Sequence, residues 1–292
     1  MKNLLITVKS FLILALIGLT SCATGDIAVF KVLENGGEEA NINDITNKVK
    51  DADIILFGEL HNNSLNHWLE LRVEKELYKQ FQDKLVVGAE MFEADTQLMI
   101  DEYFAGLYPT KNFEDEAKIW KNYKTDYKPL LEFAKDNKLR FVATNVPRRY
   151  AAFVARKGLK ELGSLDKEAQ KYFAPLPVMF DAELPAYKEM SAMPSHSKEI
   201  KFMAEAQAIK DATMAHFILK NWTPGKKFLH FHGSYHSDNY QGIVWYLKQY
   251  NPNLKIVTVS TVEAESTDSL STDDKKKADY IIVIPDDMTK TY

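Results

Sequence analysis

The chain has almost no cysteine: one residue, Cys22, among 292. A lone thiol excludes a disulfide framework, so packing rather than cross-linking must hold the fold. Excess positive charge is missing too. The formal net charge is −4, which argues against non-specific attraction to an anionic membrane surface and against nucleic acid as a partner. Beyond the first 21 residues there is no second apolar run of membrane-spanning length, and there is no internal repeat. What remains suits one large domain, or a domain with a sizeable insertion.

The front of the chain carries its own signal. Lys2 and Lys9 are the only charges before Asp26, and Phe11 to Leu19 is an apolar run too short to span a bilayer as a mature helix. It ends in Leu19-Thr20-Ser21-Cys22, a pattern similar to the lipobox of bacterial lipoproteins. The expectation is a signal peptide over residues 1–21, cleavage before Cys22, and lipid (palmitate) anchoring on that cysteine at the cell envelope. Cleavage removes two lysines and no acid, taking the net charge to −6 over 271 residues. Ala23 in the second mature position favours an outer-membrane address. Residues 22–50 then form a tether and an N-terminal extension, with a small strand or hairpin and a helix.

From residue 51 onward, short β-branched runs alternate with helical patterns. The runs are Ile54–Phe57, Leu85–Val87, Arg140–Ala143, Phe228–Phe231, Ile256–Val259 and Tyr280–Ile284. Between them, residues 64–81 place Leu65, Trp68, Leu69, Arg72, Val73, Glu76 and Leu77 near one mostly apolar face. Pro129–Asn137 fits a short helix with proline in its first turn, and Asp238 is a plausible N-cap for a helix reaching Gln249. Strands alternating with helices predict an α/β fold, a mainly parallel sheet flanked by helices. The stretch from about 148 to 225 breaks the rhythm with helices alone, the last from about Lys198 to Trp222. It reads as a helical insertion over the sheet within a domain covering 51–292. Residues 264–278 form a polar loop.

Polar residues gather where the strands end. The first strand runs into Gly58-Glu59-Leu60-His61, with His67 beyond; the second into Glu90; the third into Asn145 and Arg148; the fourth into His230, His232, Gly233 and His236. In open parallel sheets, ligands bind in the crevice outside the carboxyl ends of the strands. Five of the seven histidines therefore point to one place. His230 and His232 alternate along a strand and share a face, His230 lying deeper and reading as structural. Gln207, Asp211 and Met214 fall on one face of the last insertion helix, where they would contact a polar cleft or a solvated stripe. His216 reads as core or surface, and His196 gives no signal. Arg148 or Arg149 could hold an anionic group.

These residues together resemble the ChaN-like family, haem-binding iron-uptake lipoproteins, within a superfamily that also holds Tiki metalloproteases and erythromycin esterases. The matching pieces are Gly58-Glu59-Leu60-His61 with His67, Gly88-Ala89-Glu90, Asn145-Val146-Pro147-Arg148, Gln207 with Asp211, and Gly233-Ser234-Tyr235-His236. The resemblance runs from about Asp53 to Ile284. It implies an α/β fold with a helical subdomain, haem as ligand, and a homodimer. A tyrosine axial ligand is implied, with Tyr150, Tyr187 and Tyr235 as candidates and Arg148 as a propionate contact. It equally implies a rival: a divalent-metal hydrolase, protease or esterase, with Glu59, His61, Glu90, His232 and His236 as catalytic candidates. There His61, His236 and Glu90 are the candidate metal ligands. Whether the chain is an enzyme stays open at this level.

Overall fold

The structure, a computed structural model, describes residues 28–194 and 199–292. The signal-peptide segment, Cys22 and His196 lie outside the described residues. No described helix is long and apolar enough to cross a membrane.

One eight-stranded sheet organises the chain. Its strands are β1 (Lys31–Glu34), β2 (Glu39–Ala40), β3 (Ile54–Glu59), β4 (Leu85–Glu93), β5 (Arg140–Asn145), β6 (Lys227–Gly233), β7 (Ile256–Ala264) and β8 (Tyr280–Pro285). They lie in the order β2-β1-β8-β7-β3-β6-β4-β5. The six strands from β8 to β5 run parallel, and β1 and β2 add an antiparallel edge. The α/β expectation holds, and each predicted strand core sits inside an observed strand.

The central strands are buried on both faces, which is why they read as unbroken apolar runs. On β3, Ile55 and Phe57 enter one core while Ile54 and Leu56 enter the other. The first core is closed by α1 (Ile42–Lys48), α2 (Ser64–Phe81), α3 (Gln97–Phe104), α4 (Thr110–Glu116) and α5 (Lys128–Asp136). The second is closed by α8 (Met203–Asn221) and α9 (Ile243–Tyr250). Between β5 and α8 come α6 (Arg148–Lys157), α7 (Pro185–Ala192) and irregular turns. That stretch contains no strand among its described residues, as its sequence suggests.

Two boundaries differ from expectation. The last insertion helix starts at Met203 rather than near Lys198. α9 starts at Ile243, after Gly242, and Asp238 sits instead in a separate turn, accepting from Ser260 Oγ at 2.6 Å. The reason is local. Gly242 has φ +52°, and a Cβ there would collide with the carbonyl oxygen of His236, so the chain must turn at a glycine before the helix begins.

Candidate functional site

The strand ends converge at the crevice because β6 is inserted between β3 and β4. Glu59 closes β3, opposite Gly233 of β6. β4 follows β6 only as far as Ala89–Phe231. Beyond it the pairing of β4 with β5 becomes irregular between Ala89 and Glu93, as bulges near functional sites do. Glu90 leaves the ladder there and its Oε2 accepts the Gly233 N–H at 2.9 Å.

The first half of the site hangs on Glu59, which is 2% exposed. Its Oε1 lies 2.5 Å from His61 Nδ1 and accepts from Tyr127 Oη at 2.9 Å. Its Oε2 lies 3.0 Å from His67 Nδ1. Burial alone would raise this carboxyl, but hydrogen bonds from His61 and His67 hold it far below the ordinary carboxylate range. Burial likewise works against protonated His61 and His67, yet their carboxylates win. His61 is raised, and His67, between Glu59 and Glu70, is pushed up to about 11. Trp120 packs edge-on against His61 with ring centres 4.9 Å apart. A π turn over Tyr123–Tyr127 delivers Asp126 and Tyr127 to this cluster, a turn type frequent at functional sites.

The second half hangs on His236. Its Nε2 lies 3.1 Å from Glu90 Oε1, and its Nδ1 is hydrogen-bonded to Asp211. Against the cost of burial, Glu90 and Asp211 raise His236 to about 9. Gln207 also reaches this imidazole, at 2.9 Å, and Tyr187 Oη donates to Asp211 Oδ2 at 2.7 Å. The face of α8 carrying Gln207 and Asp211 therefore meets the cleft rather than solvent.

Some candidates are placed elsewhere. His230 and His232 do share a face, with Nδ1 atoms 3.1 Å apart, and both are fully buried. His232 bonds Ser237 Oγ at 2.8 Å, and burial lowers it to about 3. It is a neutral, structural imidazole, and it does not line the crevice. Tyr187 is 1% exposed with its proton committed to Asp211, and it lines none of the cavities described here. His216 stands apart on α8 against Phe217. His61, His236 and Glu90 do not draw their donor atoms into one metal-sized cluster among the described residues. Each histidine is spent on a carboxylate of its own half-site. The donors that do cluster are Glu59, His67 and Glu70.

Two cavities open above these residues. The first, about 640 Å³, is lined by Glu59, His61, Glu90, Gln207, Tyr235 and His236, with an apolar wall of Trp120, Ala151, Ala152, Ala155 and Met203. The second, about 740 Å³, shares Glu93, Trp120, Arg148 and Ala152 with the first and adds Lys118, Lys121, Arg149 and Tyr292 among others. Arg148 is exposed and makes no ion pair among the described residues. Arg149 bonds Asp95 at 2.5 Å and donates to Tyr150 Oη at 3.2 Å, its guanidinium 4.4 Å from that ring.

Sequence reasoning missed Glu70, Asn122, Asp126, Tyr127 and Trp120. A signal existed for Glu70: it sits at i+3 from His67, in phase with buried Val73 and Leu77. The π turn left none, because its residues have no regular period.

A parallel α/β sheet whose crevice is built from two Gly-x-x-His units, one ending β3 and one following β6, with an amphipathic cavity above, defines a small-molecule or cofactor binding class. Within it, the chain belongs to the family described as haem-binding uptake, Tiki superfamily, ChaN, whose model matches residues 45–247. Among solved structures, it is similar to ChaN of Campylobacter jejuni, described as binding haem cofacially. The TM-score is 0.63 at 20% identity, over 87% of this chain and 96% of that one. At that identity the likeness shows the fold. A Bacillus cereus protein aligns at TM-score 0.48 and 12% identity, over 84% of this chain and 92% of that one. The RRSP toxin effector domain of Vibrio vulnificus aligns at 0.47 and 18%, over 86% and 40%. No curated protein matches the sequence.

Proposed function

We propose that this chain binds haem at the paired cavities and serves iron or haem uptake from the cell envelope, where lipid on Cys22 would hold it. The observation that carries the reading is the cavity wall. Ala151, Ala152 and Ala155 on α6 line the first cavity together with Trp120 and Met203, an apolar wall whose small side chains leave room for a bulky apolar ligand. Arg148, Arg149, Lys118 and Lys121 line the adjoining second cavity, Lys118 paired with Glu93 and Asp95 and Arg149 with Asp95, and would face the acidic groups of a ligand. Haem needs an apolar slot, an axial donor and cations for its propionates, and the residues present fit that need.

For the axial donor we favour Tyr150 over Tyr235. Tyr235 Oη donates its proton to the Ala186 carbonyl at 2.8 Å, and burial raises the hydroxyl's pKa. Tyr235 lines the first cavity and Tyr150 lines neither, but Tyr150 is half-buried beside the cavity-lining Arg149, which donates to its oxygen. A phenolate on ferric iron is anionic, and a guanidinium bonded to that oxygen matches the charge. Bound haem would supply a redox-active iron. The protein's own part is to exclude water, fix the ring and neutralise the propionates. The reading includes a homodimer that encloses haem between the helical insertions of two copies. Haem titration of the full-length chain in detergent, wild type against Tyr150→Phe and Tyr235→Phe, tests it. Loss of the Soret shift with Tyr150→Phe alone supports it, and loss with Tyr235→Phe alone moves the ligand.

A second reading, a hydrolase, is favoured by one specific observation. His61 borders the first cavity with Glu59 fixed behind its Nδ1, the arrangement of an oriented general base. Hydrolysis of ester or peptide substrates abolished by His61→Ala, with haem binding absent, would establish it instead.

A further inference from the structure

Beside its apolar stripe of Leu69, Val73 and Leu77, the buried surface of α2 carries a polar strip where apolar residues are ordinarily found. Asn66, His67, Glu70 and Glu74 lie on it at helical spacing, and none is more than 4% exposed. Buried charges are costly unless they are paired or bind a metal. Both polar atoms of Asn66, both oxygens of Glu74, and Glu70 Oε1 have no hydrogen-bond partner among the described residues.

The histidine fixes the geometry of the cluster. His67 Nε2 faces two acceptors, the His61 carbonyl at 3.3 Å and Asp126 Oδ2 at 3.4 Å. Its proton therefore belongs on Nε2, and Asn122, bonded to Asp126 at 2.7 Å and to the His61 carbonyl at 2.8 Å, fixes those acceptors in place. Without an ion the ring carries a proton on Nδ1 as well, directed at Glu59 Oε2 at 3.0 Å and Glu70 Oε2 at 3.2 Å. One proton at Nδ1 is thus all that stands between two carboxylates, and a cation taking its place would meet a nitrogen and two oxygens.

We propose that Glu59, His67 and Glu70 form a buried site for a divalent first-row transition ion of the zinc or manganese kind. Their donor atoms all lie within 4.8 Å of one another. Ligands held about 2.0–2.1 Å from a tetrahedral ion stand about 3.3 Å apart, so the two measured edges need little adjustment. Two carboxylates neutralise a dication, and the imidazole supplies the nitrogen once its Nδ1 proton is released to solvent as the ion enters. Asp126 behind Nε2 completes the carboxylate–histidine–metal arrangement that orients metal-binding histidines. Glu59 is shared: Oε2 faces the ion while Oε1 holds His61 and Tyr127. The ion would sit behind the crevice and set the position of its histidine. The site does not depend on the haem reading, since His67 and Glu70 line neither cavity.

The test uses the full-length chain in detergent, stripped with a chelator and titrated with zinc alone and with manganese alone. Equilibrium dialysis and elemental analysis read the stoichiometry. The expected result is one equivalent of saturable binding. Asp126→Asn should weaken it by about 10–100-fold, and Glu70→Gln, which keeps the side-chain shape, should remove it. His236→Gln should leave it within about twofold, since any larger change would place the ion among the crevice residues. Because a buried substitution can unfold the chain, cobalt is added to the wild type as well. Visible bands that zinc then displaces report the site without any variant. Wild type that takes up no saturable ion, or binding that survives Glu70→Gln and vanishes with His236→Gln, overturns the proposal.

Discussion

His61 lies directly over Gly233: a Cβ on that glycine would meet the imidazole Nε2 at 2.6 Å. The other Gly-x-x-His unit returns the contact, since a Cβ on Gly58 would meet Ser234 Cα at 2.8 Å and the Val259 carbonyl oxygen at 3.0 Å. Each glycine is the space into which the other unit packs. The two units are thus interlocked, which explains why both glycines adjoin the crevice although neither needs a left-handed backbone.

Gly233→Ala should displace His61 from Glu59, while Gly58→Ala pushes on backbone that has nowhere to go. Overpacking of this kind costs about 1–3 kcal/mol, and Gly58→Ala should be the more damaging. Urea denaturation of both variants checks the order. Equal, negligible losses would mean the units are not interlocked.

Tyr127→Phe should destabilise the fold by about 1.5–3 kcal/mol, the worth of a hydrogen bond to a charged group. The ring contacts to His67 and Trp120 survive the change, so the loss reports the hydroxyl's bonds, chiefly that to Glu59 with a longer contact to the His61 carbonyl at 3.4 Å. A double-mutant comparison with Glu59→Gln should show the two effects to be non-additive.

The His236 ion pair sets a pH window. Its pKa is raised in the fold from 6.5 to about 9, so its stabilisation is fully present below pH 6.5 and is lost as pH rises toward 9. The stability difference between wild type and His236→Gln should therefore shrink between those values. Titrations shared by both proteins cancel in that difference. Thermal melts at pH 6, 7.5 and 9 measure it, and a constant difference would contradict the pairing.

Much of the fold was legible because parallel strands buried on both faces write themselves as apolar runs, as Ile54–Phe57 and Phe228–Phe231 do. The convergence of Glu59, His61, Glu90 and His236 followed from the same logic, since carboxyl ends of parallel strands meet. What was not legible depended on three-dimensional direction. Nothing in the alternation of His230 and His232 shows that His232 turns away from the crevice to Ser237. Tyr187 looked available until its hydroxyl proved committed to Asp211. α2 was read by its apolar stripe, so the buried acids Glu70 and Glu74 beside Val73 passed unnoticed.

Arg148→Ala should weaken haem binding without loss of stability, because Arg148 makes no ion pair among the described residues. Arg149→Ala should weaken binding and also release Asp95. Both effects should shrink as ionic strength rises, since exposed charges are screened. Titrations at low and high salt distinguish this from a purely apolar contribution.

Haem titration of the full-length chain, followed by absorption and by sedimentation, tests the central claim most directly. The account predicts a saturable Soret shift at low-micromolar haem, loss of that shift in Tyr150→Phe, retention in His61→Ala, and a move from monomer to dimer on loading. No shift in the wild type, or a shift abolished by His61→Ala and untouched by either tyrosine variant, would contradict it.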